Sequence, residues 1–155
     1  MRIQTTWDSP IGRLLLAADE AGICEIRLMK PDEMQPAIAE TSLLLERAVQ
    51  QIEEYFAGTR QSFELPLSIC GTAFERLVWQ ALEEIPFGET RSYGQLAVQL
   101  ERPKAARAVG RACSRNPVLI VIPCHRVIAS SGALTGFAAG IPAKKALLRL
   151  EGHIL

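Results

Sequence analysis

The sequence predicts an α+β fold, with an N-terminal lobe of small antiparallel sheet and helix followed by a mostly helical C-terminal lobe that carries a helix-turn-helix. Three observations predict it. Short strand-like stretches parted by turn residues fill the chain as far as Met29, the apolar period then lengthens to three or four residues up to Ala57, and beyond residue 70 helix starts and stops follow one another closely. The boundary is expected there, with 1–69 as an α/β scaffold lobe and 70–155 as the lobe bearing the chemistry.

RIQTTW, the turn DSPIG, RLLLAA, the turn DEAG and ICEIRLM have the spacing of an antiparallel meander. From about Pro36 to Ala57, Ile38, Leu45, Val49, Ile52 and Phe56 recur at helical spacing, and Gly58 stands ready as the C-terminal stop. After FELPLSIC, Thr72 and Glu75 form a capping box at the head of AFERLVWQALEEI, which Pro86 and Gly88 end. Ser92 can cap YGQLAVQL, ERP breaks the chain, and KAARAVGRACSRN follows with Pro103 suited to its first turn. Two short helices joined by a tight turn, the second rich in arginine, read as a helix-turn-helix. A last helix runs from Pro142 to Glu151 with Gly152 as its cap, and Trp7, Trp79, Phe63, Phe74 and Leu82 are expected in the core.

The 155 residues are 48% hydrophobic and carry no net charge, which is enough apolar material for a core. The neutral total hides an asymmetry: residues 1–70 hold 6 Lys and Arg against 11 Asp and Glu, whereas 71–155 hold 11 against 6. A basic second half suits a polyanionic partner, and a surface of solvated arginines is the ordinary alternative. MRIQTTWDSP lacks an apolar signal core and no segment approaches the ~18 apolar residues of a membrane span, so a soluble, cytoplasmic protein without membrane contact is expected. Cys24, Cys70, Cys113 and Cys124 form no CxxC pair and meet only two histidines, His125 and His153. That argues against a zinc cluster or a disulfide framework. Reduced thiols, no metal and no cofactor are expected, with Cys24, Cys70 and Cys113 as small buried hydrophobes and His153 outside any ligand set.

Two stretches stand out chemically. In PKAARAVGRACSRN, Lys104, Arg107, Arg111 and Arg115 are spaced by three, four and four residues and share one helix face among small neighbours, so the helix backbone can approach a phosphate backbone or groove closely. Mid-helix Gly110 costs ~1 kcal/mol in a helix of purely structural purpose. The second stretch is VLIVIPCHRVIAS, where an apolar run that reads as a buried strand passes through Pro123 straight to Cys124, His125 and Arg126. A reactive thiol needs a cation, base or helix N-terminus beside it, and a base needs an orienting acceptor, which Glu151 in RLEG offers. Sequence neighbours do not by themselves make a dyad, and Glu151 has the alternative reading of an exposed carboxylate.

PCHR with NP seven residues upstream, preceded by KAARAVG and IPFGETRSYGQLA and followed by SSGALTGFAAG and LLRLEG, resembles the O6-alkylguanine-DNA alkyltransferase repair family. The likeness spans Gly71 to Gly152 nearly without gaps, whereas the first 65 residues match only in element order and in SPIG. It implies a DNA repair protein that flips an O6-alkylated guanine out of the duplex and takes its alkyl group onto a cysteine, once per molecule. By resemblance, Cys124 is the acceptor, His125 the base acting through a water, Glu151 its orienting group, Asn116 the hinge between recognition helix and site, and Tyr93 the phenol over the base. The helix-turn-helix would enter the minor groove, with Arg107 filling the gap left by the base and Ser92, Lys104, Ala106, Arg111 and Arg115 meeting the DNA. Tyr93, Val127, Ser130, Phe137 and Ala138 would form the alkylbase pocket. Phe137 stands where the family often carries tyrosine and Ala139 where glycine is common. The implied partner is double-stranded DNA carrying O6-alkylguanine, with O4-alkylthymine left open, met by a protein that is monomeric without DNA. The alternatives are a lesion-binding protein without the chemistry, a helix-turn-helix regulator, and a Cys-His hydrolase unrelated to DNA.

Overall fold

A computed structural model describes residues 2–36 and 42–153. The chain divides into two compact units, Met1–Ile69 and Cys70–Leu155. In the first, strands β1 (Ile3–Ser9), β2 (Gly12–Ala18) and β3 (Ile23–Leu28) pair antiparallel in chain order. The meander is the one the turn residues predict. Gly12, at φ 125°, closes the β1–β2 hairpin opposite Ser9, a conformation that glycine adopts without steric cost. β2 is buried from Leu14 to Ala18, as the middle strand of three should be.

Helix α1 (Leu43–Phe56) packs on this sheet, its start capped by Ser42, whose side chain accepts from Leu45 N. It begins well after Pro36, which has no helical structure; Ile38 lies outside the described residues. Its buried face is Leu45, Ala48, Ile52 and Tyr55, with Val49 and Phe56 half-buried beside it. Trp7 and Phe63, expected in the core, are also half-buried: Trp7 packs on Phe56 at 5.9 Å and Phe63 on Tyr55 at 5.6 Å between ring centres.

The second unit is a cluster of short helices. α2 (Ala73–Glu83) starts in the predicted capping box, with Thr72 and Glu75 bonded to each other's backbone. Trp79 and Leu82 lie in the core as expected, whereas Phe74 is half-buried beneath Arg102. α3 (Tyr93–Gln99) has a second capping box, in which Ser92 accepts from Gln95 N and the Gln95 side chain returns to Ser92 N. α4 (Ala106–Ser114) packs on both α2 and α3 and completes the helix-turn-helix, and α5 (Ile141–Leu150) packs on the turn that carries Cys124. A parallel ladder of two residues, β4 (Arg91–Ser92) with β5 (Val127–Ile128), ties the entry of α3 to the exit of that turn.

Three expectations need correction. α4 starts at Ala106 rather than at Pro103; Pro103 and Lys104 form a turn ahead of it, and Ala105 offers no side-chain cap. Val118–Ile122 is buried apart from half-buried Val121, yet it folds back on itself instead of running as a strand. Cys113 is buried, but Cys24 is half-buried and Cys70 exposed, so only one of the three spare thiols is a core residue.

Candidate active site

The recognition-helix candidate α4 buries Val109, Ala112 and Cys113 and turns Arg107 and Arg111 outward. It is fixed from below by Trp79, whose Nε1 donates to Ala112 O at 2.9 Å. The four-residue cationic stripe is therefore shorter on the helix than its spacing suggests. Lys104 precedes α4, and Arg115 is its C-cap, 3.4 Å from the Glu75 carboxylate. All four cations are exposed.

From α4 the chain passes through Asn116 into a tightly wound segment. Val121 N donates back to Leu119 O at 2.8 Å, and Ile120 between them sits at φ 72°, a rare and strained γ-turn geometry for a β-branched residue. Cys124 N donates to Ile122 O at 2.8 Å around Pro123, whose φ is −82° and ψ 63°, the relaxed form of the same turn. Asn116 braces the whole loop. Its Oδ1 accepts from Val118 N at 2.9 Å, and its Nδ2 donates to Ile122 O at 2.7 Å and to Cys124 Sγ at 3.0 Å. Cys124, His125 and Arg126 then form one 3-10 turn, all three buried. Burial pushes the Cys124 thiol up to about 11, opposed by the Asn116 bond and the Lys144 charge. At neutral pH the resting group is a thiol with its sulfur already accepting one hydrogen bond.

His125 and Glu151 do meet. His125 Nε2 lies 2.6 Å from Glu151 Oε2, both side chains fully buried, so Glu151 is not the exposed carboxylate that its position in the sequence allowed. Arg126 also turns to Glu151: Nε donates to Oε1 at 2.7 Å, Nη2 to Oε2 at 3.0 Å, and Nη1 to Ile85 O at 2.6 Å, with the guanidinium 5.8 Å from the Phe87 ring centre. Arg126 is thus committed to the carboxylate rather than to the thiol beside it in sequence. An arginine forked onto a carboxylate keeps it ionised, so His125 Nε2 must carry the proton it shares with Glu151. Nδ1 is left with its lone pair, buried and without a hydrogen-bond partner among the described residues. Burial, helped by the Arg126 and Lys144 charges, lowers the His125 pKa against the opposing pull of Glu151, which favours the neutral ring. A neutral imidazole with one nitrogen fixed and the other open is a proton acceptor in waiting.

A cavity of about 550 Å³ adjoins the helix-turn-helix. It is lined from α4 by Ala106, Arg107, Gly110, Arg111 and Ser114, from α3 by Tyr93, and from the loop after β5 by Thr135 and Gly136. A side chain at Gly110 would point at the Tyr93 ring, with a Cβ 3.8 Å from it, so this glycine keeps the cavity open rather than relieving a clash. Of the expected pocket residues, Tyr93 lines the cavity; Phe137 and Val127 are buried, and Ser130 and Ala138 are exposed on the same loop region. The Tyr93 hydroxyl donates to Thr135 O at 3.1 Å.

Two participants escaped the sequence reading. Arg126 was visible only as a cation near a thiol, not as the clamp of Glu151. Lys144 is fully buried on α5, its ammonium donating to Val127 O at 2.5 Å and Thr135 O at 2.9 Å. A signal was present: Lys144, Leu147, Leu148 and Glu151 recur at helical spacing, so a lysine and a glutamate share the buried stripe. Among the described residues no group of three or more His, Cys, Asp or Glu is placed to hold a metal ion. No helix among the described residues is long and apolar enough to cross a membrane.

A helix-turn-helix joined by one short wound segment to a braced, buried cysteine defines a class: thiol-bearing proteins built around a nucleic-acid-reading motif. Comparison with known proteins agrees. Residues 73–153 match the profile of the 6-O-methylguanine DNA methyltransferase DNA binding domain, and residues 3–69 that of the same proteins' ribonuclease-like domain. A methylated-DNA–protein-cysteine methyltransferase of Methanosarcina acetivorans is 48% identical over 149 residues, 94% of this chain and 96% of that one. The crystal structure of Mycobacterium tuberculosis O6-methylguanine methyltransferase superposes with a TM-score of 0.87 at 44% identity, covering 97% of this chain and 93% of that one. That of Mycobacterium tuberculosis OGT in complex with DNA gives 0.84 at 46% identity, over 94% and 90%. The chain belongs to the 6-O-methylguanine DNA methyltransferase family.

Proposed function

We propose that the chain repairs DNA as a methylated-DNA–protein-cysteine methyltransferase, moving the alkyl group of an O6-alkylguanine onto Cys124 in a single irreversible turnover. The observation that carries this reading is the bracing of one buried sulfur by Asn116, in the same turn as an imidazole whose Nδ1 has no partner among the described residues and in the same unit as a cavity that Tyr93 and Arg107 line. Cys124 Sγ attacks the alkyl carbon; the S–C bond forms as the bond from carbon to guanine O6 breaks. The thiol proton leaves toward His125 Nδ1, relayed by a water, and the imidazolium that forms is stabilised by Glu151. Negative charge appearing on the guanine is met by the Tyr93 hydroxyl, and the thioether product is too poor a leaving group to return the alkyl group.

The acceptor groups sit too deep for a base stacked in a duplex, so the lesion must be flipped, at a few kcal/mol that weakened pairing reduces. Arg107 fills the vacated stack, while Ala106 and Ser92 present backbone and hydroxyl to the strand and Lys104, Arg111 and Arg115 meet phosphates. Val127, Ser130, Phe137 and Ala138 stand around the alkylbase. The protein is cytoplasmic, monomeric without DNA, and acts on double-stranded DNA, with the Cys70–Leu155 unit bearing the DNA contacts and the acceptor and the Met1–Ile69 unit as scaffold.

Intact-protein mass after incubation with a duplex holding one O6-methylguanine tests this. One methyl on Cys124, saturating at one equivalent and absent from Cys124→Ser and from undamaged DNA, is expected. Tight lesion binding with no mass gain would replace it with a lesion-binding protein that lacks the chemistry.

A further inference from the structure

Two donors share one carbonyl at the cavity wall. Thr135 O accepts from the Tyr93 hydroxyl at 3.1 Å and from Lys144 Nζ at 2.9 Å, while Nζ also donates to Val127 O at 2.5 Å and lies 5.9 Å from the centre of the Tyr93 ring. One ammonium therefore pins both ends of the segment from Val127, which follows the Cys124 turn, to Thr135, which lines the cavity. A phenol has a single proton to donate. While it rests on Thr135 O, Tyr93 has none for an acceptor in the cavity.

We propose that Lys144 is the positioning residue that lets Tyr93 change acceptor. This inference rests on the alkyl-transfer reading above. When a flipped base fills the cavity and closes it to water, Tyr93 leaves Thr135 O for the base. A carbonyl stripped of its only partner in a water-excluded site costs about 1–3 kcal/mol, and the Lys144 bond removes that cost because Thr135 O stays paired. The same bond keeps the loop in place while its other tie is undone. Without Lys144, Tyr93 becomes the sole side-chain donor to Thr135 O among those described, and each donation to the base strips the carbonyl. Lys144 touches neither the base nor the sulfur in this scheme; it acts through Tyr93.

A double-mutant cycle on the full chain tests it, with Tyr93→Phe, Lys144→Gln and the pair, followed by the rate of methyl gain from the O6-methylguanine duplex. Each single change is expected to slow transfer about tenfold, and the pair no more than either alone, because both disable one donation. A pair slowed about a hundredfold, the product of the singles, would overturn the proposal. Carbamidomethylation of Cys124 by iodoacetamide, read by peptide mass, needs no phenol: it is expected within about twofold of the parent in Tyr93→Phe, and to slow by less than transfer does in the two proteins that lose the Lys144 charge, which favours the thiolate. Slowing there by the same factor as transfer would place Lys144 on the thiol instead. Should Lys144→Gln not fold, Lys144→Arg keeps cation and donors: near-parental transfer supports the proposal, and a folded Lys144→Arg as slow as Tyr93→Phe contradicts it. Failure of the underlying reading is seen separately, since the parent protein would then gain no methyl at all.

Discussion

Six cations of the second unit fall into two sets with opposite surroundings. Arg107 and Arg111 on α4 are exposed, as are Lys104 before it and Arg115 after it. Arg126 and Lys144 are buried and every donor bond described for them ends on a carboxylate or a backbone carbonyl. The first set carries no desolvation cost until a polyanion arrives and then releases counterions from it. The second has been desolvated already, and its members hold neighbouring groups in place rather than recognising anything. Residue type alone does not separate the two uses; position relative to the buried stripe does.

Replacing a member of the buried set should have the largest effect. Arg126→Leu leaves Glu151 buried beside a neutral histidine, and urea unfolding is expected to show a loss of about 3–5 kcal/mol. A loss under ~1 kcal/mol would mean that the Arg126 fork does not hold Glu151. The buried thiols give the next effect. An unfolded thiol ionises near 9.0, but burial holds Cys124 to about 11 and Cys113 to about 12, so the folded chain retains protons that the unfolded one releases. Stability present below pH 9.0 should be lost progressively as pH rises toward 11, and Cys124→Ala should flatten that slope in thermal unfolding curves across this range.

The exposed set gives smaller and more selective effects. Arg107→Ala is expected to slow alkyl transfer from a duplex about tenfold more than transfer from the free base, since its proposed role is to hold the helix open. Equal losses on both substrates would contradict that role. Arg111→Ala should weaken binding to every duplex alike and reduce the slope of log affinity against log salt by about one. Arg115→Ala should change that slope less, because Arg115 must leave Glu75 to reach a phosphate.

What was legible in the sequence follows the same division between regular and irregular. The meander, both helix starts that end in Thr72 and Ser92, and the buried stripe of α5 obey local rules, so alternation, capping residues and spacing reveal them. Cys124 and His125 were visible because their types are rare and adjacent. The wound segment was not legible: Val118–Ile122 has a strand's composition, and only tertiary packing can hold Ile120 at a positive φ that costs of order 1–3 kcal/mol. Nor were the roles of Arg126 and Lys144, because a long flexible cation reveals its partner only when the fold brings Glu151, Ile85, Val127 and Thr135 within reach. The late start of α4 escaped because Pro103 is acceptable in a first helical turn and equally acceptable in the turn that precedes one.

The hydrogen bond from Trp79 to Ala112 O makes the protein its own reporter. The two indoles are divided between the units, Trp7 half-buried in Met1–Ile69 and Trp79 buried in Cys70–Leu155. Emission from Trp79 should be shifted to the blue of emission from Trp7, and it should respond when α4 moves on a bound duplex. With Trp7→Phe, the remaining fluorescence follows α4 alone, without an attached dye.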